Sequence, residues 1–172
     1  MRKLMLVTGI LLMLVAAAGA YWFEPWKLYT NTTVNETAPV ILESGAPTQA
    51  PDGSAPSATL VAQGQMISHE HSTSGTVQLV KLEDGRHQIV LRNLSTSDGP
   101  DLRVWLTDQP VLPGAQGWRV FDDGDYQDLG SLKGNQGTQV YDVPADVDPS
   151  KFRSVAIWCK RFAVSFGAAQ FG

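Results

Sequence analysis

Thr76-Val77-Gln78-Leu79-Val80-Lys81-Leu82-Glu83-Asp84-Gly85-Arg86-His87-Gln88-Ile89-Val90-Leu91-Arg92-Asn93-Leu94 is the stretch that decides the fold. Thr76 to Leu82 and His87 to Leu94 each alternate apolar and polar side chains in the period of two expected of a strand with one buried face. Between them Glu83-Asp84-Gly85-Arg86 carries an Asp-Gly pair, which supplies the positive φ angles that a hairpin turn requires. The stretch therefore predicts a β-hairpin.

Outward from this hairpin the same pattern repeats. Leu102 to Thr107 sets Leu102, Val104 and Leu106 against Arg103, Trp105 and Thr107, and Thr138 to Val143, Ser154 to Lys160 and Ala163 to Ala168 continue in that style. Gly134, Gly137, Pro144 and Pro149 punctuate the segments, with room for a helical turn over Pro149 to Phe152. After Pro25 no stretch keeps a helical period. An all-β domain follows over residues 60–172, an antiparallel β-sandwich or flattened barrel of about seven or eight strands.

Upstream, Arg2 and Lys3 precede an uncharged apolar run from Leu4 to Phe23. As a helix rising ~1.5 Å per residue, such a run matches the ~30 Å hydrocarbon core of a bilayer. Basic residues before it and Tyr21, Trp22 and Trp26 after it predict a single pass with the C-terminal part outside the cytoplasm. Residues 1–25 read as a signal anchor in the cell membrane, because aromatic residues continue past the small-x-small site at Ala18-Gly19-Ala20. Cleavage at that site is the alternative and would yield a secreted domain. Residues 26–59, rich in Pro, Ala, Ser and Thr, read as a flexible linker. Asn31-Thr32-Thr33, Asn35-Glu36-Thr37 and Asn93-Leu94-Ser95 match the glycosylation sequon.

The net charge of −4 argues against nucleic acid as a partner, since displacing counterions from phosphates needs a basic face. One cysteine, Cys159, rules out an internal disulfide. In Ser154-Val155-Ala156-Ile157-Trp158-Cys159-Lys160-Arg161-Phe162 it extends the apolar row of Val155 and Ile157, which favours burial. It also lies beside Lys160 and Arg161, cations that could support a thiolate if the bend after the strand turns them towards it.

Met66, His69, His71 and His87 are the other soft or imidazole donors, and His69 and His71 share a face if Met66 to His71 is a strand. Two His, a Cys and a Met are the components of a blue-copper site, but no His or Met follows Cys159 in a closing loop, so the spacing argues against copper. Without Cys-x-x-Cys-His, covalent haem attachment is excluded, which leaves non-covalent haem open. Asp122 to Asp128 is acidic yet lacks the register and distal Glu of a calcium loop. Asp98 and Asp101 are weaker candidates in a polar loop with no base or nucleophile beside them. No nucleophile elbow, phosphate loop or zinc-protease motif occurs, so a classical enzyme is not expected.

Four stretches taken together carry a resemblance. They are His71 to Val77, Leu94 to Val104, Asp128 to Gly137, and Ser154 to Phe162 with Val164 to Ala169. In this order and spacing, over nearly all of residues 62–170, the chain resembles the DM-thirteen domain, described as an electron-transfer domain of Skeletor-type proteins. The resemblance implies an exported all-β domain whose hallmark cysteine maps to Cys159. It also implies redox work through the thiol itself or through a bound group such as haem, with a redox protein as partner. His71 is the first candidate to share such a group with Cys159. The competing expectation is a non-enzymatic cell-surface binding or structural module that uses the loops around Asp98 and Asp125, with Cys159 as buried packing.

Overall fold

The computed structural model describes residues 1–42 and 55–172. A helix α1 at Arg2–Phe23 leads into a 3-10 turn at Pro25–Tyr29. Ten strands follow: β1 Thr33–Asn35, β2 Val40–Ile41, β3 Ser57–Ser68, β4 Ser74–Leu82, β5 His87–Ser95, β6 Leu102–Thr107, β7 Tyr126–Ser131, β8 Gln136–Asp142, β9 Ser154–Cys159 and β10 Val164–Gln170. No residue of α1 is buried against the protein, and it is long and apolar enough to cross a membrane.

The strands form one sheet in the order β1-β8-β5-β4-β3-β10-β9-β6-β7, with β2 added to β3. This corrects the expectation of seven or eight strands in a sandwich or flattened barrel: the sheet is a half-barrel of ten strands. The register slips between Leu60 and Ala62, Leu91 and Leu94, Arg103 and Trp105, and Ser165 and Gly167. Each such bulge bends its strand and increases the twist, so the sheet curls round a single interior and does not split into two layers. The predicted hairpin is β4–β5, closed by Leu82 N–H donating to the Arg86 carbonyl at 2.9 Å with Gly85 at φ 87°. The turn near Pro149 is a 3-10 turn over Pro149–Lys151.

One face of every long strand packs into the common interior, where Val77, Leu79, Ile89, Leu91, Val104, Ile157 and Phe166 meet. The reverse face carries two smaller cores. Trp105, Trp158 and Phe121 form one, with the rings of Trp105 and Trp158 stacked at 5.0 Å and Phe121 edge-on to Trp158 at 6.3 Å. Ala58, Val80, Leu82 and Val90 form the other, covered by Ala38 and Ile41.

Those two covering residues lie in the region whose composition reads as linker. Residues 30–42 instead run along the domain, β1 pairing parallel with β8 and β2 parallel with β3. The remainder of that linker, residues 43–54, lies outside the described residues. Gly134 and Gly137 seat the arm, since a Cβ at either position would run into the carbonyl of Thr32 or Val34, and Gly137 also holds φ 100°. The buried Asn135 side chain accepts from Thr32 N–H at 2.7 Å and donates to Asn31 Oδ1 and the Thr96 carbonyl, each at 2.8 Å. Glu36 accepts from Lys133 Nζ at 2.8 Å and from Val140 N–H at 2.7 Å. Behind them the fully buried Gln139 accepts from Lys133 N–H, Gly134 N–H and Tyr141 O–H and donates to the Gly134 carbonyl.

Candidate functional site

Cys159 ends β9, paired with Val164 of β10 on one side and Leu102 of β6 on the other. It is fully buried within the common interior. Burial pushes its thiol above the ordinary value, while the backbone amides of Phe162, Asp101 and Arg161 pull the other way. The bend after β9 sends the neighbouring cations elsewhere. Arg161 donates to the Trp22 carbonyl at 2.7 Å and to Glu24 at 3.2 Å, and Lys160 is exposed.

β3 ends at Ser68, so His69 and His71 lie in the following bend and do not share a strand face. His69 turns inward, its ring 5.7 Å from that of Phe121. Its Nε2 meets the Leu112 carbonyl at 3.1 Å and its Nδ1 meets Ser165 Oγ at 2.8 Å. A carbonyl can only accept, which puts the proton on Nε2 and leaves Nδ1 to accept from the hydroxyl. Burial holds this imidazole below its ordinary pKa, with the Leu112 hydrogen bond opposing. His71 turns the other way and stacks on Phe166 at 3.9 Å between ring centroids. Among the described residues no hydrogen bond reaches either of its ring nitrogens, and the nearest carboxylate, Glu70, stands at 3.9 Å.

His71 lines a cleft of ≈ 240 Å³ where the end of α1 meets the domain. Phe23, Pro25 and Leu28 form one wall, and Phe162 and Phe166 form the other, with Phe23 and Phe162 stacked at 5.6 Å. Glu24, Lys27, Glu70 and Asp98 add charged groups to the lining, and Gly99 and Pro100 complete it. Lys27 Nζ donates to the Gly99 carbonyl at 3.1 Å, and Asp98 accepts from Thr30 Oγ1 at 3.2 Å and from Gly99 N–H at 2.7 Å. Cys159 is not in this lining; Phe166 belongs both to the cleft wall and to the core that encloses the thiol.

The remaining candidates are dispersed. Met66 packs in the interior, and His87 begins β5 at the hairpin end of the sheet. Asp101 pairs with Arg103 at 2.7 Å, and the Asp125 carbonyl accepts from Asp108 N–H in a loop contact. No group of three or more His, Cys, Asp or Glu side chains among the described residues could hold a metal ion. These donors do not fit copper, which needs two free imidazoles beside the sulfur. Nor do they fit a haem shared by Cys159 and His71, because the sulfur does not face the cleft. The helix-side wall carried no signal in the sequence, since Phe23 and Leu28 become lining only where the chain after α1 packs on the domain.

The fold and site define a β half-barrel carried behind a helix able to cross a membrane, with one enclosed thiol and one cleft beside the helix end. The sequence model described as "Electron transfer DM13" matches residues 65–171, and the chain belongs to that family. No curated protein and no solved structure matches it.

Proposed function

We propose that the protein is a membrane-tethered electron-transfer module held outside the cytoplasm, with Cys159 as its redox-active thiol. The observation that carries this reading is the placement of the chain's single sulfhydryl under the β9–β10 turn, with three backbone amides acting on it, inside the span matched by the electron-transfer family. The basic residues at the start of α1 and the aromatic residues at and just after its end support the orientation. A lone thiol reacts by exchange with a disulfide-bearing protein partner. After losing its proton, Cys159 Sγ attacks one partner sulfur, an S–S bond forms between them, and the partner's second sulfur leaves as a thiolate that takes up a proton. A dithiol protein then resolves it: one of its thiols attacks Cys159 Sγ and releases the partner's sulfur as a thiol, and its second thiol closes the donor's own disulfide and frees Cys159, so two electrons pass from the dithiol to the partner's disulfide. Because the sulfur is enclosed, the β9–β10 turn must open for attack.

A second reading is favoured by the complete burial and raised pKa of Cys159, which packing alone would also produce. In that case the domain is a non-enzymatic binding module and the thiol fills space. Alkylation of the folded domain, with its absorbance spectrum and metal content, separates the two. Exchange with a small disulfide at a rate above that of a model thiol supports the redox reading. Slower reaction, with no visible absorption and no metal, leaves packing. Cys159→Ala is then expected to cost about 1–2 kcal/mol of stability in urea unfolding and nothing else.

A further inference from the structure

The cleft at the end of α1 has a combination of features that the enclosed thiol does not use. Its walls are aromatic and apolar, with Phe23, Leu28, Phe162 and Phe166 lining ≈ 240 Å³. Clefts for drug-sized ligands run to about 300–1,000 Å³, so this one takes a single substituted ring and not a macrocycle. Of the carboxylates lining it, Glu24 is paired with Lys27 at 3.5 Å and with Arg161 at 3.2 Å, which leaves Glu70 and Asp98 without a Lys or Arg partner among the described residues. An anionic ligand such as a phosphate headgroup or a fatty acid is repelled there, and a neutral one is not.

His71 supplies the polar handle. Its ring stacks on Phe166 with the two planes 30° apart, yet neither nitrogen has a hydrogen-bond partner among the described residues. Glu70 beside it adds an acceptor. A ring oxygen that alternates between carbonyl and hydroxyl would find a donor in the imidazole and an acceptor in the carboxylate. One wall of the cleft continues directly into the apolar helix, so a ligand dissolved in the bilayer reaches it without crossing water.

From this geometry we infer that the cleft binds the head ring of a neutral, lipid-soluble quinone, the ring stacking beside Phe166 and one ring oxygen bonded to His71. The choice of a redox ligand rests on the electron-transfer reading above. The inference concerns binding and assigns no electron path to Cys159.

The full chain in phosphatidylcholine nanodiscs, titrated with a dimethoxy-methyl-benzoquinone bearing a ten-carbon tail, provides the test. Quenching of tryptophan fluorescence is expected to show a saturable component of one quinone per chain above linear partition into lipid, since Trp22 and Trp26 adjoin the lining residues Phe23 and Pro25 in the chain. Leu28→Trp, at an exposed position, fills the cleft and should abolish that component. His71→Leu should raise the half-saturation point roughly tenfold, the effect of one hydrogen bond. Absence of a saturable component, its persistence in Leu28→Trp, or equal competition by decanol each overturns the inference. Cys159→Ala should bind as the parent does, so failure of the thiol reading and failure of this one are read separately.

Discussion

The edge of the sheet where the N-terminal arm docks and the cleft where α1 ends lie at the two ends of the same short connection, and they treat polar groups in opposite ways. Along the edge, every polar end of the Asn135 and Gln139 side chains has a partner. Burial there pushes the Tyr141 phenol up to about 12, the amide of Lys133 opposing. In the cleft, among the described residues, the His71 imidazole has no hydrogen bond and the carboxylates of Glu70 and Asp98 have no Lys or Arg partner. The two histidines compress the same contrast into three residues of chain. His69 has both nitrogens engaged and holds loops together; His71 has neither engaged and faces a cleft. A satisfied polar group stabilises one conformation, whereas an unsatisfied, partly exposed one keeps its bonding capacity for something else.

If this contrast is right, the largest effect comes from breaking the edge. Gln139→Ala removes the acceptor of two amides and a phenol and the donor to a carbonyl, and should destabilise the domain by about 3 kcal/mol or more, read as a lower urea midpoint. The arm should detach at the same time, seen as faster amide exchange at Thr32 and Val140.

A smaller, pH-dependent effect belongs to His69. Its folded pKa lies below the ordinary 6.5. Above that value neither state binds a proton, so the contribution is complete. As pH falls below 6.5 the unfolded chain takes a proton that the folded chain refuses, and stability declines until the folded pKa is passed. His69→Gln should flatten that part of the stability profile just below about pH 6.5. A mutant profile that keeps the same slope would remove His69 from the account.

The smallest effect is expected at His71. His71→Leu should leave the stability in urea within about 0.5 kcal/mol of the parent, because no hydrogen bond is lost and an apolar contact with Phe166 replaces the stack. A loss of 2 kcal/mol or more would make His71 a structural residue like His69 and would erase the contrast.

Much of the domain was legible in the chain itself. Alternation placed β4, β5, β6 and β9, the Asp-Gly pair placed the hairpin, and the row of Val155, Ile157 and Cys159 pointed the thiol inward, as found. Trp158, expected on the opposite face, packs there against Trp105 and Phe121. The arm was not legible, because strands of two and three residues are too short to show a period and acquire their identity only from the strand they pair with. The cleft was equally hidden, since its two walls are separated by more than a hundred residues.

By itself, then, the order of residues determined the apolar helix, the β character of the domain, its main hairpin and the inward row that ends in Cys159, all of which depend on near neighbours and on side-chain periodicity. Tertiary structure alone decided the half-barrel closure, the docking of the arm on Gly134 and Gly137, and the division of labour between His69 and His71. Those outcomes depend on which distant backbone groups remain unpaired once the sheet has curled, and local sequence does not record that.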